Sequence, residues 1–249
     1  MVDFSMLSDY IISIRRRIHK CPELSGQEFQ TQRLIRDELE KMGIPHRTLH
    51  ETDVLAEITG LQTSPAELTG SRPNTVEFRD YETGNHAKTV LLRADMDALP
   101  LTEKSDSSYT SQFPGVMHAC GHDSHTAMLL GAARLLQDSR DLFSGTVRLM
   151  FQPAEETGKE TRTLIDHGML DRVDTVFALH VEPDLPSGNI CILPGPCMAG
   201  VDDFSIRLNL SPSGMYKATD TFHQHCFSAS VIPHQAINLS RMKFQRNIV

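Results

Sequence analysis

Three short apolar segments, each followed directly by residues that can bind metal or transfer protons, constrain the fold of this chain most strongly. The segments are residues 89–94, 146–151 and 173–179. Apolar runs of this length are typical of strands buried inside a sheet. A helical pattern over residues 124–137 separates the first two segments. Strand, helix and strand in this order predict an α/β fold.

Apolar residues at helical spacing predict two further helices at the beginning of the chain, over residues 6–20 and 26–42. Ser25 and Glu28 have the spacing of a capping box at the start of the second helix. Alternating or compact apolar residues predict additional strands over residues 54–58, 75–78 and 203–208.

The polar residues that follow the three apolar segments are expected to form one site. Asp95 and Asp97 follow the first segment, Glu155 and Glu156 follow the second, and His180 closes the third. The carboxyl ends of strands in a doubly wound sheet lie along one edge, where the loops converge on a crevice. We therefore expect these side chains to lie close together.

The residues around Gly121 add a thiol and a second imidazole to this site. If the turn at Gly121 is extended, the side chains of Cys120 and His122 face the same side, a spacing that suits chelation. The N-cap of the following helix is expected at Asp123 or Ser124. Thiolate, imidazole and carboxylate are the ligands that a borderline divalent ion such as zinc takes.

Two adjacent glutamates favour hydrolytic chemistry. One carboxylate can bind metal while its neighbour remains free to take a proton from an activated water. Asp97 either forms a turn with its own backbone or orients a ligand histidine, and composition alone leaves both alternatives open. For His118 and His125 the preferred interpretation is local capping or packing.

Bulk properties exclude several classes of function. The 249-residue chain has a formal net charge of -8 and a pI near 5.8, which argues against a nucleic-acid partner. No apolar stretch is long enough for a membrane helix, and no secretion signal is visible at the N-terminus. Five cysteines, an odd number, do not suggest a disulfide framework. We therefore expect a soluble cytoplasmic protein.

Four ordered blocks resemble the signature of a known family. They are RADMDALP at residues 93–100, HACGHD at 118–123, QPAEE at 152–156 and LHV at 179–181. The blocks are similar to those of the amidohydrolase branch of the aminoacylase and carboxypeptidase metallohydrolases. That branch includes hippurate hydrolases and plant auxin-conjugate hydrolases. The similarity extends from about residue 13 to residue 208, with an enlarged segment at residues 60–88.

The resemblance implies a zinc-exopeptidase-like α/β/α sandwich with the start of a smaller α+β lid and dimerisation domain. Residues 1–200 would be the N-terminal portion of the catalytic metallohydrolase domain. Residues 201–249 would be an incomplete remnant of the lid domain with a divergent tail. In relatives the lid makes the dimer contact, so a homodimer is expected only if that domain were complete.

The resemblance also assigns roles to the site residues. Glu155 corresponds to the family's general base and Asp97 to its ligand-orienting aspartate. Two divalent ions, manganese or zinc, are implied, and the ligand types do not choose between them. The implied reaction is hydrolysis of the amide bond of N-acyl amino acids or similar small conjugates. The implied metal ligands are Cys120, His122, Glu156 and His180.

The end of the chain departs from the family pattern. Relatives are longer and supply a late histidine that completes the metal site, whereas residues 209–230 have little periodic pattern. His223, His225 or His234 could replace that ligand, although three incidental histidines are the preferred interpretation. The alternative hypothesis is therefore a truncated, inactive homologue that acts only as a fold remnant or binding partner. A structural zinc module is disfavoured because paired short-spaced cysteines are lacking.

Overall fold

A computed structural model describes residues 4–62 and 87–192, together with the backbone of residues 201–210 and 216–225. The chain forms two compact units, Met1–Val181 and Glu182–Val249. The division expected between residues 200 and 201 stays a prediction. The strand expected over residues 75–78 lies outside the described residues.

The described helices and strands that were predicted for the first unit occur in the predicted order, and the strand His46–Arg47 and the helix Glu160–Asp166 are additional. A 3₁₀ turn at Arg140–Leu142 follows the third helix. The helices are α1 (Phe4–Lys20), α2 (Phe29–Lys41), α3 (His122–Asp138) and α4 (Glu160–Asp166). The strands are β1 (His46–Arg47), β2 (Val54–Thr59), β3 (Thr89–Asp95), β4 (Thr146–Gln152) and β5 (Thr175–Ala178).

The strands form a mixed sheet in the order β1-β2-β4-β3-β5 among the described residues. β3 is parallel to both β4 and β5, whereas β2 runs antiparallel to β4. Asp95 at the end of β3 is opposite Gln152 at the end of β4, and Arg93 is opposite Ala178. The predicted α/β class is confirmed, and the strand ends that precede the polar residues lie along one edge.

Alternation along the strands divides the core into two layers. Leu149 and Phe151 of β4 pack with residues of α1, α2 and α3, whereas Met150 packs on the other face against Leu164 of α4. Successive side chains of a strand point to opposite faces, so a run that is apolar at every position needs cover on both. Helices on both faces give the three-layer α/β/α arrangement.

The third apolar segment is not buried, contrary to expectation. β5 pairs with β3 and lies at one end of the strand order, and all four of its residues are exposed. Val176 and Phe177 are among the exposed large apolar residues. An edge strand has a neighbour on one side only, so an apolar composition alone does not decide whether it is covered.

The start of α2 differs from the capping-box prediction. α2 begins at Phe29, and its N-cap residue Glu28 makes no side-chain capping hydrogen bond. The Ser25 hydroxyl instead donates to Asp97 Oδ2 at 2.6 Å. Glu28 accepts hydrogen bonds from other chain segments, among them Ala154 N–H. The capping-box prediction was wrong because both side chains have tertiary partners.

The predicted N-cap of α3 was also wrong. Gly121 occupies that position in a left-handed conformation, with φ of 90°. The Asp123 carboxylate instead accepts hydrogen bonds from His19 and Arg15 of α1. A side chain that fastens two helices together is unavailable for capping its own helix.

In the second unit, β6 (Val201–Leu210) and β7 (Tyr216–His225) pair antiparallel, with Phe204 opposite Phe222. The strand predicted over residues 203–208 is confirmed. β7 lies within residues 209–230, for which no regular element was expected. Across the described residues, each helix is too short or too polar to cross a lipid bilayer.

Removal of core volume at the centre of the sheet should destabilise the first unit. Leu149 is 0% exposed, so we expect Leu149→Ala to lower the free energy of unfolding by about 2–5 kcal/mol, through lost apolar contacts and a residual cavity. Urea unfolding followed by circular dichroism measures this, since the chain has no tryptophan.

The matched control for this measurement is Leu142→Ala. Leu142 is 70% exposed, so its truncation should change the free energy of unfolding by no more than about 0.5 kcal/mol. Equal losses in the two variants would contradict the assignment of Leu149 to the core.

Candidate metal centre

Thiol, imidazole and carboxylate groups converge at the carboxyl edge of the sheet. Cys120 Sγ lies 3.3 Å from His180 Nε2. His122 Nε2 lies 3.8 Å from Glu156 Oε1 and 3.9 Å from Glu155 Oε2. The four expected ligands and the expected base therefore lie together, although they come from two strand ends and the start of α3.

His122 is the common member of three groups that could each hold a metal ion. Within each group, one ligand atom from every residue lies within 4.8 Å of the others. His122 is therefore at the centre of the cluster, and the other residues surround it. The groups, among the described residues, are Cys120 with His122 and His180, Asp95 with His122 and His125, and His122 with Glu155 and Glu156.

Gly121 is required by the close approach of two chain segments. Its φ is +90°, and a Cβ atom at this position would lie 2.3 Å from Val181 Cγ2. Only glycine adopts this backbone conformation without strain. The turn is therefore left-handed, so the condition of an extended turn is not met. Cys120 and His122 nevertheless lie in one group of candidate ligands.

Asp97 makes two hydrogen-bond contacts with the imidazole of His122. Nδ1 lies 2.9 Å from the Asp97 carbonyl oxygen and 3.1 Å from Asp97 Oδ1. Both atoms are acceptors, so Nδ1 carries a proton and donates. This leaves Nε2 directed toward the carboxylates. Of the two alternatives for Asp97, the geometry favours the orientation of a histidine.

Two buried polar atoms in the cluster fit a metal ion. His122 Nε2 and Glu156 Oε1 are both buried and have no hydrogen-bond partner among the described residues. Buried polar atoms without a partner are rare because the lost solvation is costly. A nitrogen and a carboxylate oxygen 3.8 Å apart are suitable donors for one cation. The donor set therefore fits a divalent ion.

The electrostatic potential of the cluster is negative. Burial alone would lower the pKa of His122, but the hydrogen bond with Asp97, the nearby Cys120 thiol and the charges of Asp95 and Asp97 raise it to about 11. A raised imidazole pKa means that the surroundings favour positive charge. A divalent cation would satisfy the same potential in place of the proton.

The two glutamates have raised pKa values. Burial is the largest cause for each, and the neighbouring Asp95 carboxylate adds to the effect for Glu155. Burial disfavours a charged carboxylate, and a second negative charge disfavours it further. A carboxylate whose pKa lies nearer to neutrality is a stronger base, which suits proton transfer.

Cys120 and His180 each stabilise the charged form of the other. The nearby imidazole of His122 and the hydrogen bond with His180 lower the pKa of Cys120. The hydrogen bond with Cys120 raises the pKa of His180 to about 8, against the effect of burial. His180 Nδ1 donates to the Val181 carbonyl oxygen at 2.7 Å, which leaves Nε2 toward the thiol.

His125 contributes to the cluster, although sequence reasoning left it as a packing residue. Its Nδ1 donates to Asp95 Oδ1 at 2.6 Å, and its Nε2 accepts from Val181 N–H at 2.9 Å. The ring thereby links the end of β3 to the segment that carries His180. The spacing of His122 and His125, three residues apart on one helix face, could have indicated this role.

His118 is buried, and neither of its ring nitrogens has a hydrogen-bond partner among the described residues. Burial lowers its pKa to about 4, so the ring is neutral. It belongs to none of the three groups of candidate ligands. The side chains of His223 and His225, and all of His234, lie outside the described residues, so their expected roles stay predictions.

A buried ion pair fastens the start of α3 to α1. His19 Nδ1 donates to Asp123 Oδ2 at 2.8 Å, and His19 Nε2 lies 3.2 Å from Glu103 Oε1. Arg15 Nε donates to the same Asp123 oxygen at 3.0 Å. Asp123 adjoins His122, so these contacts hold the helix turn that presents the central imidazole.

Comparison with known proteins identifies the family. Residues 91–243, more than half of the chain, match peptidase family M20/M25/M40. The chain belongs to this family. The matched range includes all six site residues named from the sequence: Asp97, Cys120, His122, Glu155, Glu156 and His180.

Two curated relatives extend the comparison. The chain is 42% identical over 208 residues to an N-acetyl-L-cysteine deacetylase of Bacillus subtilis, which covers 83% of this chain and 44% of the relative. It is 40% identical over 201 residues to IAA-amino acid hydrolase ILR1-like 4 of Arabidopsis thaliana, which covers 81% of this chain and 40% of the relative. The M20 chain thus spans less than half the length of these relatives.

A solved structure agrees with the fold. The YXEP protein of Bacillus subtilis, described as a dinuclear metal binding peptidase from the M20 family, matches with a TM-score of 0.69 and 38% identity. The match covers 82% of this chain and 51% of that protein. The expected resemblance to the aminoacylase and carboxypeptidase metallohydrolases is confirmed.

The pH dependence of stability should reveal the His19 contact. Its hydrogen bond with Asp123 raises the pKa of His19 in spite of burial. The folded pKa exceeds the unfolded value of about 6.5, so the contact stabilises fully below that pH and weakens as pH rises through the folded pKa. We expect the free energy of unfolding to fall less steeply with rising pH in His19→Gln.

Urea unfolding at pH values from about 6 to 9 measures this difference, because His19 loses its charge as pH rises through its raised pKa. His167→Gln is the matched control, since His167 is exposed and should leave the pH dependence of the wild type unchanged. Parallel curves for the wild type and His19→Gln would contradict the assignment.

Proposed function

We propose that this protein is a metal-dependent amidohydrolase that cleaves the amide bond of N-acyl amino acids or similar small amino-acid conjugates. The observation that carries the proposal is the convergence of thiol, imidazole and carboxylate donors around His122 Nε2 and Glu156 Oε1, two buried atoms that have no hydrogen-bond partner among the described residues. Relatives named as a deacetylase of N-acetyl-L-cysteine and a hydrolase of IAA-amino acids support the substrate class.

Four residues would hold the metal. A bound divalent cation would polarise the scissile carbonyl and lower the pKa of a water molecule. The described donors combine soft and hard ligands, which suit zinc and manganese respectively, so both remain candidates. The proposed number of ions is two, in keeping with the dinuclear description of the YXEP protein. The proposed ligands are Cys120, His122, Glu156 and His180.

Glu155 is the proposed general base. Its carboxylate is largely buried and lies 3.9 Å from His122 Nε2 at Oε2. Burial raises its pKa, which strengthens it as a proton acceptor. It would take the proton of the attacking water and later deliver it to the leaving amine nitrogen. The adjacent Glu156 keeps the ligand role, so the two carboxylates divide the work.

Asp97 is proposed to keep both the base and the central ligand in position. Its carboxylate accepts from His122 Nδ1 and from the backbone N–H of Glu156, the latter at 3.0 Å. Ligand imidazoles are usually oriented in this way by a carboxylate, which also raises their basicity. A cytoplasmic location and a homodimer stay predictions.

Loss of the base should abolish turnover without removing the metal. We expect Glu155→Gln to lower kcat by about 10²–10⁴-fold, since the amide cannot accept the proton, with a smaller change in KM. The assay is hydrolysis of N-acetyl and indole-3-acetyl amino acids in the presence of Mn²⁺ or Zn²⁺, with bound metal measured by elemental analysis.

Glu40→Gln serves as the control for the Glu155 substitution. Glu40 is an exposed residue of α2, with a side chain 65% accessible, and the same chemical change there should leave turnover intact. Full activity in Glu155→Gln would exclude the proposed mechanism. A wild-type chain with neither bound metal nor turnover would favour the non-catalytic homologue.

Metal affinity should depend most on the imidazole shared by all three groups. We expect His122→Ala to weaken Zn²⁺ and Mn²⁺ binding more than His180→Ala, which affects a single group, with each loss at least about tenfold. Calorimetric titration of the metal-free protein measures both. His167→Ala is the surface control, and equal affinities in all variants would place the metal elsewhere.

A further inference from the structure

A buried carboxylate outside the metal cluster holds the segment that carries the two glutamates. Glu28, the residue before α2, is 0% exposed. Its Oε1 accepts from Gly26 N–H at 2.9 Å and from Ala154 N–H at 2.8 Å. Its Oε2 accepts from the Thr52 hydroxyl at 2.7 Å. Three donors from three chain segments therefore meet on one side chain.

Ala154 has a backbone conformation that is unusual for a residue with a side chain. Its φ is +51°, in the left-handed region. Such a conformation persists where the surroundings hold it, and it is concentrated at functional sites. Here the N–H is held by Glu28, and the carbonyl oxygen accepts from the Thr157 hydroxyl at 3.2 Å. Ala154 immediately precedes Glu155, so its conformation sets the direction of both glutamates.

The segment before α2 reaches the cluster at a second point. Ser25 donates to Asp97 Oδ2, and the same oxygen accepts from the N–H of Glu156. Ala98 N–H also donates to the Glu23 carbonyl oxygen at 2.8 Å. Residues 23–28, which we call the clamp segment, therefore contact the loop after β3 and the turn after β4.

Burial of a carboxylate is costly, so its retention needs a reason. Burial raises the pKa of Glu28, and the hydrogen bonds from Thr52, Ala154 and Gly26 oppose that effect. An apolar side chain could fill the same volume without the cost but could not accept the Ala154 N–H. The geometry therefore indicates that position 28 needs a side chain long enough to accept the hydrogen bond from Ala154 N–H.

We propose that Glu28 is a positioning residue: it holds Ala154 in its left-handed conformation and thereby directs Glu155 and Glu156 toward His122. Its effect on turnover rests on the function proposed above. Its effect on the backbone of residues 152–158 does not, because that effect can be measured without substrate.

Two substitutions at Glu28 separate reach from charge. Glu28→Gln keeps the length and an acceptor oxygen but loses the charge, and Glu28→Asp keeps the charge but shortens the side chain by one methylene. We expect amide hydrogen exchange in residues 152–158 to be about tenfold faster in Glu28→Asp, through loss of the hydrogen bond to Ala154. In Glu28→Gln, exchange should be closer to the wild type.

Turnover of N-acyl amino acids should follow the same order. We expect Glu28→Asp to lower kcat by about 10- to 100-fold with little change in KM, and Glu28→Gln to recover most of that loss. A change in kcat rather than KM identifies misplaced Glu155 instead of weakened substrate binding.

Glu38→Asp is the matched control. Glu38 is another buried carboxylate of α2, 6% exposed, which accepts hydrogen bonds from Tyr10 and Lys41. Shortening it should reduce thermal stability while leaving kcat and the exchange of residues 152–158 at wild-type values.

Two results would overturn the positioning role. Exchange in residues 152–158 that is unchanged in Glu28→Asp would show that Ala154 does not depend on Glu28. Greater damage from Glu28→Gln than from Glu28→Asp would show that charge matters instead of reach. If the wild type hydrolyses no substrate, the proposed function fails, while the exchange measurement still decides the role of Glu28.

Discussion

The arrangement of the site depends on one buried carboxylate, that of Asp97. It accepts hydrogen bonds from His122 Nδ1, the Ser25 hydroxyl and the Glu156 N–H. Burial would raise its pKa, but these donors, chiefly His122 and Ser25, lower it, so the group is ionised. An ionised carboxylate accepts and cannot donate. The three donors must therefore all point toward it, and three chain segments are placed relative to one another.

Besides Asp97, two other buried carboxylates, Asp95 and Asp123, accept hydrogen bonds that fix neighbouring segments of the chain. Asp95 holds His125, which in turn holds the backbone of Val181 beside His180. Asp123 fastens α3 to α1 through His19. Such an arrangement leaves His122 Nε2 and Glu156 Oε1 without a hydrogen-bond partner among the described residues and surrounds them with carboxylates, two conditions that favour a bound cation.

Sequence patterns predicted much of the fold and of the site composition. Apolar runs, helical periodicity and the polar residues after each strand are local features, so they are visible without coordinates. The predictions that failed concern groups with more than one available partner. Ser25 and Asp123 were expected to cap their helices, but they bind Asp97 and His19 instead. β5 was expected to be buried, although composition does not tell a central strand from an edge strand.

The sequence by itself determined which donor types this M20 chain carries, their order, and their location after the strands of an α/β sheet. Only the tertiary structure decided which side chains and backbone groups are joined by hydrogen bonds. Glu28 and Ala154 are 126 residues apart in the chain and 2.8 Å apart between acceptor and donor. Local periodicity reports which face of an element is apolar, but the partner of a buried polar atom depends on how those faces pack.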